Sequence, residues 1–164
     1  MIFVSVGTHN EQFDRLLREM DRIVGSGVIS DKVIAQTGSS TYKPRNFRHF
    51  NFSEWKNITK LNKDAEIVVT HGGAGNLLMA SHFMKPIVAV PRMKKFGEHV
   101  NDHQLQLVRE LERQGRVIAV YDIHDLSKAI AKAKTYISKK RKFNRKKRIV
   151  AVVDNYLSIL EKKE

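Results

Sequence analysis

The sequence predicts an α/β fold, a single Rossmann-like, doubly wound and mostly parallel sheet, in a chain of 164 residues. Short apolar, β-branched runs recur along the chain, and apolar residues at helical spacing separate them. The clearest unit covers residues 66–91, where the runs at 67–70 and 87–90 enclose a glycine-rich turn and about two turns of helix. Strand–helix–strand units of this kind give right-handed crossovers and parallel pairing.

The chain before this unit alternates in the same way. Apolar or alternating runs predict three strands, at residues 2–6, 33–36 and 48–52. Between the first two, apolar residues at helical spacing predict an amphipathic helix that Gly25 and Gly27 end. After the third, Ser53 is expected to cap a short helix, and Trp55 on that helix is expected to pack in the core.

The alternation continues beyond residue 91. A helix over residues 99–114 is expected to end at Gly115, and residues 117–120 to form a sixth strand. Two further helices are predicted, at residues 125–134 and 149–160. Because the chain has no internal repeat and no proline-rich linker, residues 1–164 are assigned to one domain, with the basic helical segment 126–164 packing on it or on a partner.

Composition narrows the possible functions. The chain has 30 Lys and Arg against 17 Asp and Glu, a formal charge of +13, and no acidic residue lies between Asp125 and Asp154. Basic clusters at 139–142 and 145–148 fit nucleic acid, a phosphorylated ligand or an anionic membrane surface. The absence of cysteine excludes disulfides and thiolate metal sites. No apolar run reaches the roughly 18 residues of a membrane span, and no signal peptide is visible.

The turn between the two central strands has the composition of an anion site. A helix that starts after a glycine turn presents unpaired backbone amides and the positive end of its dipole. Gly72, Gly73 and Gly75 would let a phosphate approach the backbone closely. Neither the dinucleotide fingerprint nor a nucleoside-triphosphate loop matches this spacing. The turn therefore predicts another diphosphate ligand, and an ordinary strand-to-helix turn is the alternative.

Ligands of doubly wound sheets bind beyond the carboxyl ends of the strands, near the point where the strand order reverses. We expect four loops to meet there, at residues 7–10, 37–40, 71–76 and 91–104. The last of these loops is rich in acidic, amide and imidazole groups, which suit a ligand with many hydroxyls. His99 and His103 could instead form a zinc pair, although the further ligands are missing, or the segment could be a capping box with a solvated helix start.

Five segments in this order resemble the C-terminal, nucleotide-sugar-binding half of family 28 glycosyltransferases, which have the GT-B fold. They are residues 4–8 (VSVGT), 36–40 (QTGSS), 69–76 (VTHGGAGN), 85–92 (KPIVAVPR) and 99–104 (HVNDHQ). The resemblance is greatest to stand-alone donor-binding subunits of two-component UDP-sugar transferases. These are bacterial capsule and exopolysaccharide subunits and the catalytic subunit of the dolichol-linked N-acetylglucosaminyltransferase.

The resemblance implies a role for each matching residue. UDP and its diphosphate would bind at Gly7, Thr8, Gly38, Phe52, His71, Gly72, Gly73, Ala74, Gly75 and Asn76. The sugar would contact Glu98, His99, Asn101, Asp102, His103 and Gln104, with Gln104 the firmest match. His9 and His71 are candidates for the base that deprotonates the acceptor in an inverting transfer. Neither a metal nor a cofactor is implied, because the UDP-sugar is a substrate.

The resemblance also implies a partner. A GT-B enzyme needs a second, acceptor-binding domain, and this chain begins its first strand at Ile2. We therefore expect a membrane-anchored subunit that binds a lipid-linked acceptor, and a cytoplasmic chain held peripherally at the membrane through it. The alternatives are a non-catalytic enhancer subunit and, less favoured, a nucleic-acid-binding module that uses the basic segment.

Overall fold

The computed structural model describes residues 1–138 together with Val153 and Ser158, and its centre is a six-stranded, entirely parallel sheet. The strands are β1 (Ile2–Ser5), β2 (Val33–Gln36), β3 (Arg48–Phe50), β4 (Ile67–Thr70), β5 (Ile87–Ala89) and β6 (Ile118–Ala119). Their spatial order is β3-β2-β1-β4-β5-β6, so the order reverses between β1 and β4. This is the doubly wound order found in dinucleotide-binding domains.

Five helices alternate with these strands in the described part of the chain. They are α1 (Asp14–Gly25), α2 (Trp55–Asp64), α3 (Ala74–His82), α4 (His103–Arg113) and α5 (Leu126–Ser138). Short 3-10 turns at Lys94–Phe96 and Ile123–Asp125 precede α4 and α5. The two basic clusters lie outside the described residues, as does most of the helix predicted at 149–160. Of that helix, Val153 and Ser158 are helical, and Val153 is fully buried.

The core has two apolar layers, one on each face of the sheet. Ile2 and Val4 point into the layer that contains the buried residues of α1 and α5. Phe3, the residue between them, points into the layer that contains those of α3 and α4. Because successive residues of a strand face opposite sides, a central parallel strand covered on both faces must be apolar throughout. This is why β1 and β4 read as continuous apolar runs.

The structure corrects the prediction for α2. Glu54, not Ser53, occupies the N-cap position, and no side chain caps this helix. The Ser53 hydroxyl instead accepts a hydrogen bond from Asn57 Nδ2 at 3.0 Å. Trp55 is 71% exposed rather than packed in the core, and Ile58 supplies the buried contact one turn later.

Two other helix ends also differ from the prediction. Gly25 is the last residue of α1 rather than its stop signal, and the chain turns away at Gly27, whose φ is +75°. Helix α4 begins at His103 rather than His99, because the Asn101 side chain accepts from the His103 amide at 3.1 Å and holds the preceding residues in a turn. Gly115 follows α4 with a φ of +66°, as predicted for a helix end.

Candidate functional site

The candidate site lies where β1 and β4 run side by side and their helices depart to opposite faces of the sheet. Ser5 pairs with Thr70 at the ends of these strands, and the His71 amide donates to the Ser5 carbonyl at 3.3 Å. The loops that follow the two strands therefore start together. This opens the crevice in which doubly wound domains bind ligands.

The packing of His71 requires glycine at two positions around this crevice. The imidazole is buried between Gly7 and Gly73. A Cβ on Gly73 would lie 2.2 Å from His71 Nε2, and a Cβ on Gly7 would lie 2.6 Å from His71 Cε1. Gly73, which we expected to admit a phosphate, and Gly7 thus make room for a side chain of the protein itself.

Gly72 and Gly38 also make room for other parts of the protein. Gly72 has a φ of +85°, and a Cβ there would lie 2.5 Å from Val108 Cγ2 on α4. A Cβ on Gly38 would lie 2.6 Å from the Gly7 carbonyl oxygen. Gly75 differs from both, because nothing lies within 4 Å of the place where its Cβ would be. Of the three glycines of the turn, Gly75 is therefore the one that open space surrounds.

Burial sets the protonation state of His71. Desolvation and the nearby Arg92 guanidinium lower the pKa of His71 to about 3. The ring is therefore neutral at pH 7, and such a weakly basic imidazole is poorly matched to proton abstraction at that pH. The structure thus argues against His71 as the catalytic base and gives it a packing role at the floor of the crevice.

A chain of hydrogen bonds fixes the start of α3 to the sheet. Asn76 Nδ2 donates to Ser5 Oγ at 2.8 Å, and Ser5 Oγ donates to Gln36 Oε1 at 2.8 Å. The first bond along the helix axis runs from the Leu77 amide to the Gly73 carbonyl at 3.1 Å. The amides of residues 74–76 therefore have no helical acceptor. No side-chain cap and no acidic residue offsets the positive end of this helix.

Arg92 ties the loop after β5 to the loop after β1. Its side chain is completely buried and donates to the carbonyls of Val6, Glu11, Gln12 and Glu98 at 2.8–3.0 Å. Burial lowers the pKa of Arg92 to about 10, although the charge of Glu98 opposes that effect. The guanidinium is therefore still charged at neutral pH and holds both loops in place.

Glu98 has a structural role that differs from the predicted one. We expected it to bind sugar, but its carboxylate is completely buried. It accepts from Arg15 Nε at 2.8 Å, from Arg15 Nη2 at 2.9 Å and from the Met93 amide at 3.0 Å. An acid enclosed in this way has no free surface for a sugar hydroxyl.

The other predicted sugar contacts lie on the β5–α4 segment at the same edge of the sheet. Asp102 accepts from the Lys94 amide at 3.0 Å, and the side chains of Asp102 and His103 are exposed. The Gln104 carbonyl lies 3.9 Å from the Cβ position of Gly72, which puts Gln104 beside the glycine turn. Gln104 Oε1 is buried and has no hydrogen-bond partner within the described structure, which is unusual for a buried polar atom.

The structure gives no support to the zinc alternative. Because α4 begins at His103, His99 and His103 do not share a helix face. Across residues 1–138, Val153 and Ser158, no group of three or more His, Cys, Asp or Glu is arranged to hold a metal ion. His99 instead stacks on His9, with ring centroids 4.6 Å apart and an interplanar angle of 27°.

The loop after β1 contains Glu11, a residue that sequence reasoning did not assign to the site. His9 Nδ1 contacts the Glu11 carboxylate, and both side chains are partly exposed. Thr8 is exposed beside them. The spacing of an imidazole and a carboxylate two residues apart is a visible signal in the sequence, but only the loop conformation shows that the two groups meet.

Two exposed aromatic side chains follow the edge strand β3. Phe52 is 56% exposed and Trp55 is 71% exposed. Large aromatic faces left in water are suited to stacking on a planar ligand. Trp55, which we assigned to the core, thus becomes a candidate site residue.

The reversal of strand order defines a doubly wound domain, and the unpaired first amides of α3 lie at its switch point. The chain belongs to the glycosyltransferase family 28 C-terminal domain family, whose model matches residues 1–155. The predicted resemblance is confirmed.

Curated relatives include the UDP-N-acetylglucosamine transferase subunit ALG13 of Mus musculus and of Homo sapiens. The mouse protein is 29% identical over 127 residues, covering 70% of this chain, and the human protein is 30% identical over 127 residues, covering 71%. In both cases the match covers 10% of the relative. The chain thus spans about a tenth of the length of these relatives.

Solved structures confirm the fold class. The glycotransferase of kitacinnamycin superimposes with a TM-score of 0.62 at 17% identity, covering 94% of this chain and 39% of that one. The calicheamicin glycosyltransferase CalG4 gives a TM-score of 0.60 at 15% identity with the same coverage. Both neighbours are GT-B glycosyltransferases, so the predicted likeness to part of a GT-B fold holds. Among the described residues, no helix has the length and apolar character needed to cross a membrane.

Proposed function

We propose that this chain is the donor-binding catalytic subunit of a two-component, inverting glycosyltransferase. It would transfer a sugar from a UDP-sugar to a lipid-linked acceptor. The observation that carries the proposal is the uncapped start of α3 at the switch point, where the amides of residues 74–76 have no helical acceptor and the Cβ position of Gly75 is open. Family membership supports the same reading.

The geometry suggests how a donor would lie. The diphosphate would bind the amides of residues 74–76, where the positive helix end offsets its charge. The base would extend toward the exposed aromatic faces of Phe52 and Trp55. The sugar would lie near Gln104, whose buried and unpartnered Oε1 needs a donor such as a hydroxyl.

The same helix end would assist the reaction. Charge develops on the leaving diphosphate as the anomeric bond breaks, and fixed amide donors stabilise such charge without reorganisation. The residues of the crevice therefore suit a transfer in which backbone amides support the leaving group, and we propose no metal or cofactor for it.

The proposal includes a second subunit. ALG13 is named as a subunit of a UDP-N-acetylglucosamine transferase, and we infer a comparable arrangement here, with a membrane-anchored partner that binds the acceptor. The chain would then lie in the cytoplasm at the membrane face and act in capsule, exopolysaccharide or related glycolipid synthesis. A non-catalytic enhancer subunit is the second candidate, and it predicts that variants of the crevice leave transfer by the complex unchanged.

The test uses a charge placed in the crevice. Gly75→Asp adds a carboxylate in the first turn of α3, where it favours the helix but repels a diphosphate. Wild-type protein at a UDP concentration of about 100 times Kd should gain roughly 5 °C or more in Tm. Gly75→Asp should lose at least tenfold in UDP affinity by calorimetry.

A matched control separates local from general effects. Asn57→Asp adds the same charge to the first turn of α2, where Asn57 is exposed, and it should bind UDP as the wild type does. The proposal fails if millimolar UDP and UDP-sugars leave the Tm of the wild type unchanged. It also fails if the Gly75 and Asn57 variants bind UDP equally well.

A further inference from the structure

Helix α1 and the two loops beside it form a surface with two open grooves. One groove is lined by side chains of α1 together with Phe96, the other by residues 41–45, and Arg18 lines both, so the two are continuous. We call this surface, with the adjoining 3-10 turn at Lys94–Phe96, the basic face. Its exposed members are Arg18, Arg22, Lys43, Arg45, Lys94, Lys95 and Phe96.

The acids of the basic face are turned toward the interior. Asp14, Glu19 and Glu98 line the first groove, but their side chains are only 15%, 6% and 1% exposed. Asp14 accepts from the amides of Thr41 and Tyr42 at 2.9 and 3.0 Å. Of the described residues, no acid lines the second groove. The carboxylates therefore hold helix and loop together, while the cations face the solvent.

Most of these cations are available to a partner. Within the part of the chain that the structure describes, four of them have no carboxylate at salt-bridge distance, namely Lys43, Arg45, Lys94 and Lys95. Arg18 lies 3.9 Å from Asp14 and is 62% exposed, so that pair is weak. The exposed acid Asp102 borders the face, where it accepts from the Lys94 amide at 3.0 Å. The face as a whole is suited to an anionic partner.

Phe96 gives the basic face an apolar tip. It is the last residue of the 3-10 turn that contains Lys94 and Lys95, and it is 45% exposed. Gly97 follows with a φ of +64°, so the chain turns back directly after Phe96. Val100, the next large apolar residue along the chain, is also exposed. Exposed apolar side chains flanked by lysines are typical of segments that bind at a membrane–water interface.

Cations lie over the two aromatic rings of the grooves. Arg18 Cζ is 4.4 Å from the centroid of the Tyr42 ring, and Arg15 Cζ and Lys95 Nζ are each 4.8 Å from that of Phe96. Proteins that bind single-stranded nucleic acid use open aromatic faces on which bases stack. Because these rings are shared with cations instead, the basic face favours a layer of lipid phosphates over a nucleic acid.

We propose that the basic face binds the surface of an anionic lipid bilayer, with its cations on the lipid phosphates and Phe96 in the interfacial region. The face begins in segments that follow the carboxyl ends of β1, β2 and β5, so the edge of the sheet that carries the crevice would lie next to the lipid. This goes beyond the proposed function, in which the partner subunit holds the chain at the membrane. It also assigns the contact to the folded domain rather than to the basic clusters at 139–148.

Vesicle flotation with the purified full chain tests the proposal. Vesicles of about three parts phosphatidylcholine to one part phosphatidylglycerol should bind the wild type, and salt should weaken that binding. A triple variant, Lys43→Gln with Lys94→Gln and Lys95→Gln, should lose roughly 100-fold in partitioning, because each cation near an anionic surface contributes about a factor of five.

A second triple variant removes the same charge from the opposite face of the sheet. Lys56→Gln, Lys60→Gln and Lys63→Gln change exposed residues of α2. The buried Ile58 of α2 belongs to one apolar layer, and the buried residues of α1 belong to the other. This control should stay within about threefold of the wild type. Both variants retain the basic clusters at 139–148, so the comparison cancels their contribution.

Tryptophan fluorescence locates the contact. Trp55 is the single tryptophan of the chain, and it lies on α2, so the emission of the wild type should not shift when vesicles are added. Phe96→Trp in a Trp55→Phe background should shift to the blue, and brominated lipids should quench it, because the ring would enter the interface.

Three results would overturn the proposal. The wild type could fail to bind the anionic vesicles, or the two triple variants could lose binding equally, or the Phe96→Trp emission could stay unchanged in bound protein. If the basic-face variant loses affinity for a single-stranded RNA oligonucleotide but keeps its vesicle binding, the surface is a nucleic-acid site and the proposal is wrong. UDP plays no part in these assays, so their failure leaves the proposed function standing, and a failure to bind UDP leaves this inference standing.

Discussion

The glycine turn (residues 71–76) and the clamp segment (residues 92–104) are both unusual in composition, but they are built in opposite ways. In the glycine turn the missing side chains serve the interior, because Gly73 makes room for His71 and Gly72 for Val108. The groups left for a ligand are backbone amides. In the clamp segment two charged side chains, Arg92 and Glu98, serve the interior, and the amide oxygen of Gln104 is left without a hydrogen-bond partner.

The difference shows what composition can and cannot indicate near a site. Three clustered glycines suggest a phosphate cradle, and a loop rich in acidic and amide groups suggests a ligand with many hydroxyls. In this protein most of those residues hold loops together at the switch point. The groups that the proposed function assigns to the ligand are the ones that internal packing leaves over, namely the first amides of α3, Gly75 and Gln104.

The clamp segment gives the largest expected effect on stability. Arg92→Leu would remove a buried cation and leave the carbonyls of Val6 and Glu98 without their donor. We expect the free energy of unfolding to fall by roughly 3–5 kcal/mol, because buried polar groups that lose a charged partner keep their desolvation cost. Urea unfolding measures the change.

Arg113→Leu is the matched control for that experiment. Arg113 is 74% exposed and pairs with Glu110 on the surface of α4, so its loss should cost less than about 1 kcal/mol. Equal losses for the two arginines would show that Arg92 does not clamp the loops.

The strand pattern was predictable because it depends on local composition. Residues 33–36 and 67–70 were assigned with the bounds that the structure shows, since a central strand covered on both faces must be apolar throughout. The edge strand β6 is only two residues long, within the four predicted. Pairing at a sheet edge depends on a single neighbour, and composition does not fix where it stops.

The position of the site was predictable, but the role of each side chain was not. Topology brings the loops after β1 and β4 together, so their meeting followed from the order of the elements. The burial of Glu98 depends on Arg15, which is 83 residues away in sequence. A contact of this range is not encoded in a local pattern.

The buried imidazole of His71 predicts that the free energy of unfolding depends on pH, with an effect of intermediate size. The pKa of His71 is about 3 in the folded chain, against an ordinary value of 6.5 for histidine, so the unfolded chain binds the extra proton between these values. The contribution of His71 to stability is then complete above about pH 6.5 and is lost as the pH falls toward 3. Between pH 6.5 and 4.5 the wild type should lose about 2–3 kcal/mol from this group.

His71→Asn provides the comparison, because asparagine keeps a polar atom near Nδ1 but does not titrate. Urea unfolding at several pH values should give a shallower slope for this variant than for the wild type. His82→Ala, which changes an exposed histidine, should keep the wild-type slope. If all three proteins lose stability in parallel, acidic groups elsewhere control the pH dependence.

The smallest expected effect distinguishes two glycines that are two residues apart in the turn. Gly75 lies within α3 with open space around its Cβ position, so Gly75→Ala should raise the free energy of unfolding by about 0.5–1 kcal/mol through helix propensity. Gly73→Ala would place a methyl group 2.2 Å from His71 Nε2 and should lower it by about 1–3 kcal/mol. Gly73 has a φ of −69°, which alanine adopts readily, so this loss would come from the clash alone.

Combining Gly73→Ala with His71→Ala should then recover part of the stability that Gly73→Ala loses. Changes of the same sign in the two single variants would mean that Gly75 is also enclosed, and the main geometric support for a ligand at this turn would be lost.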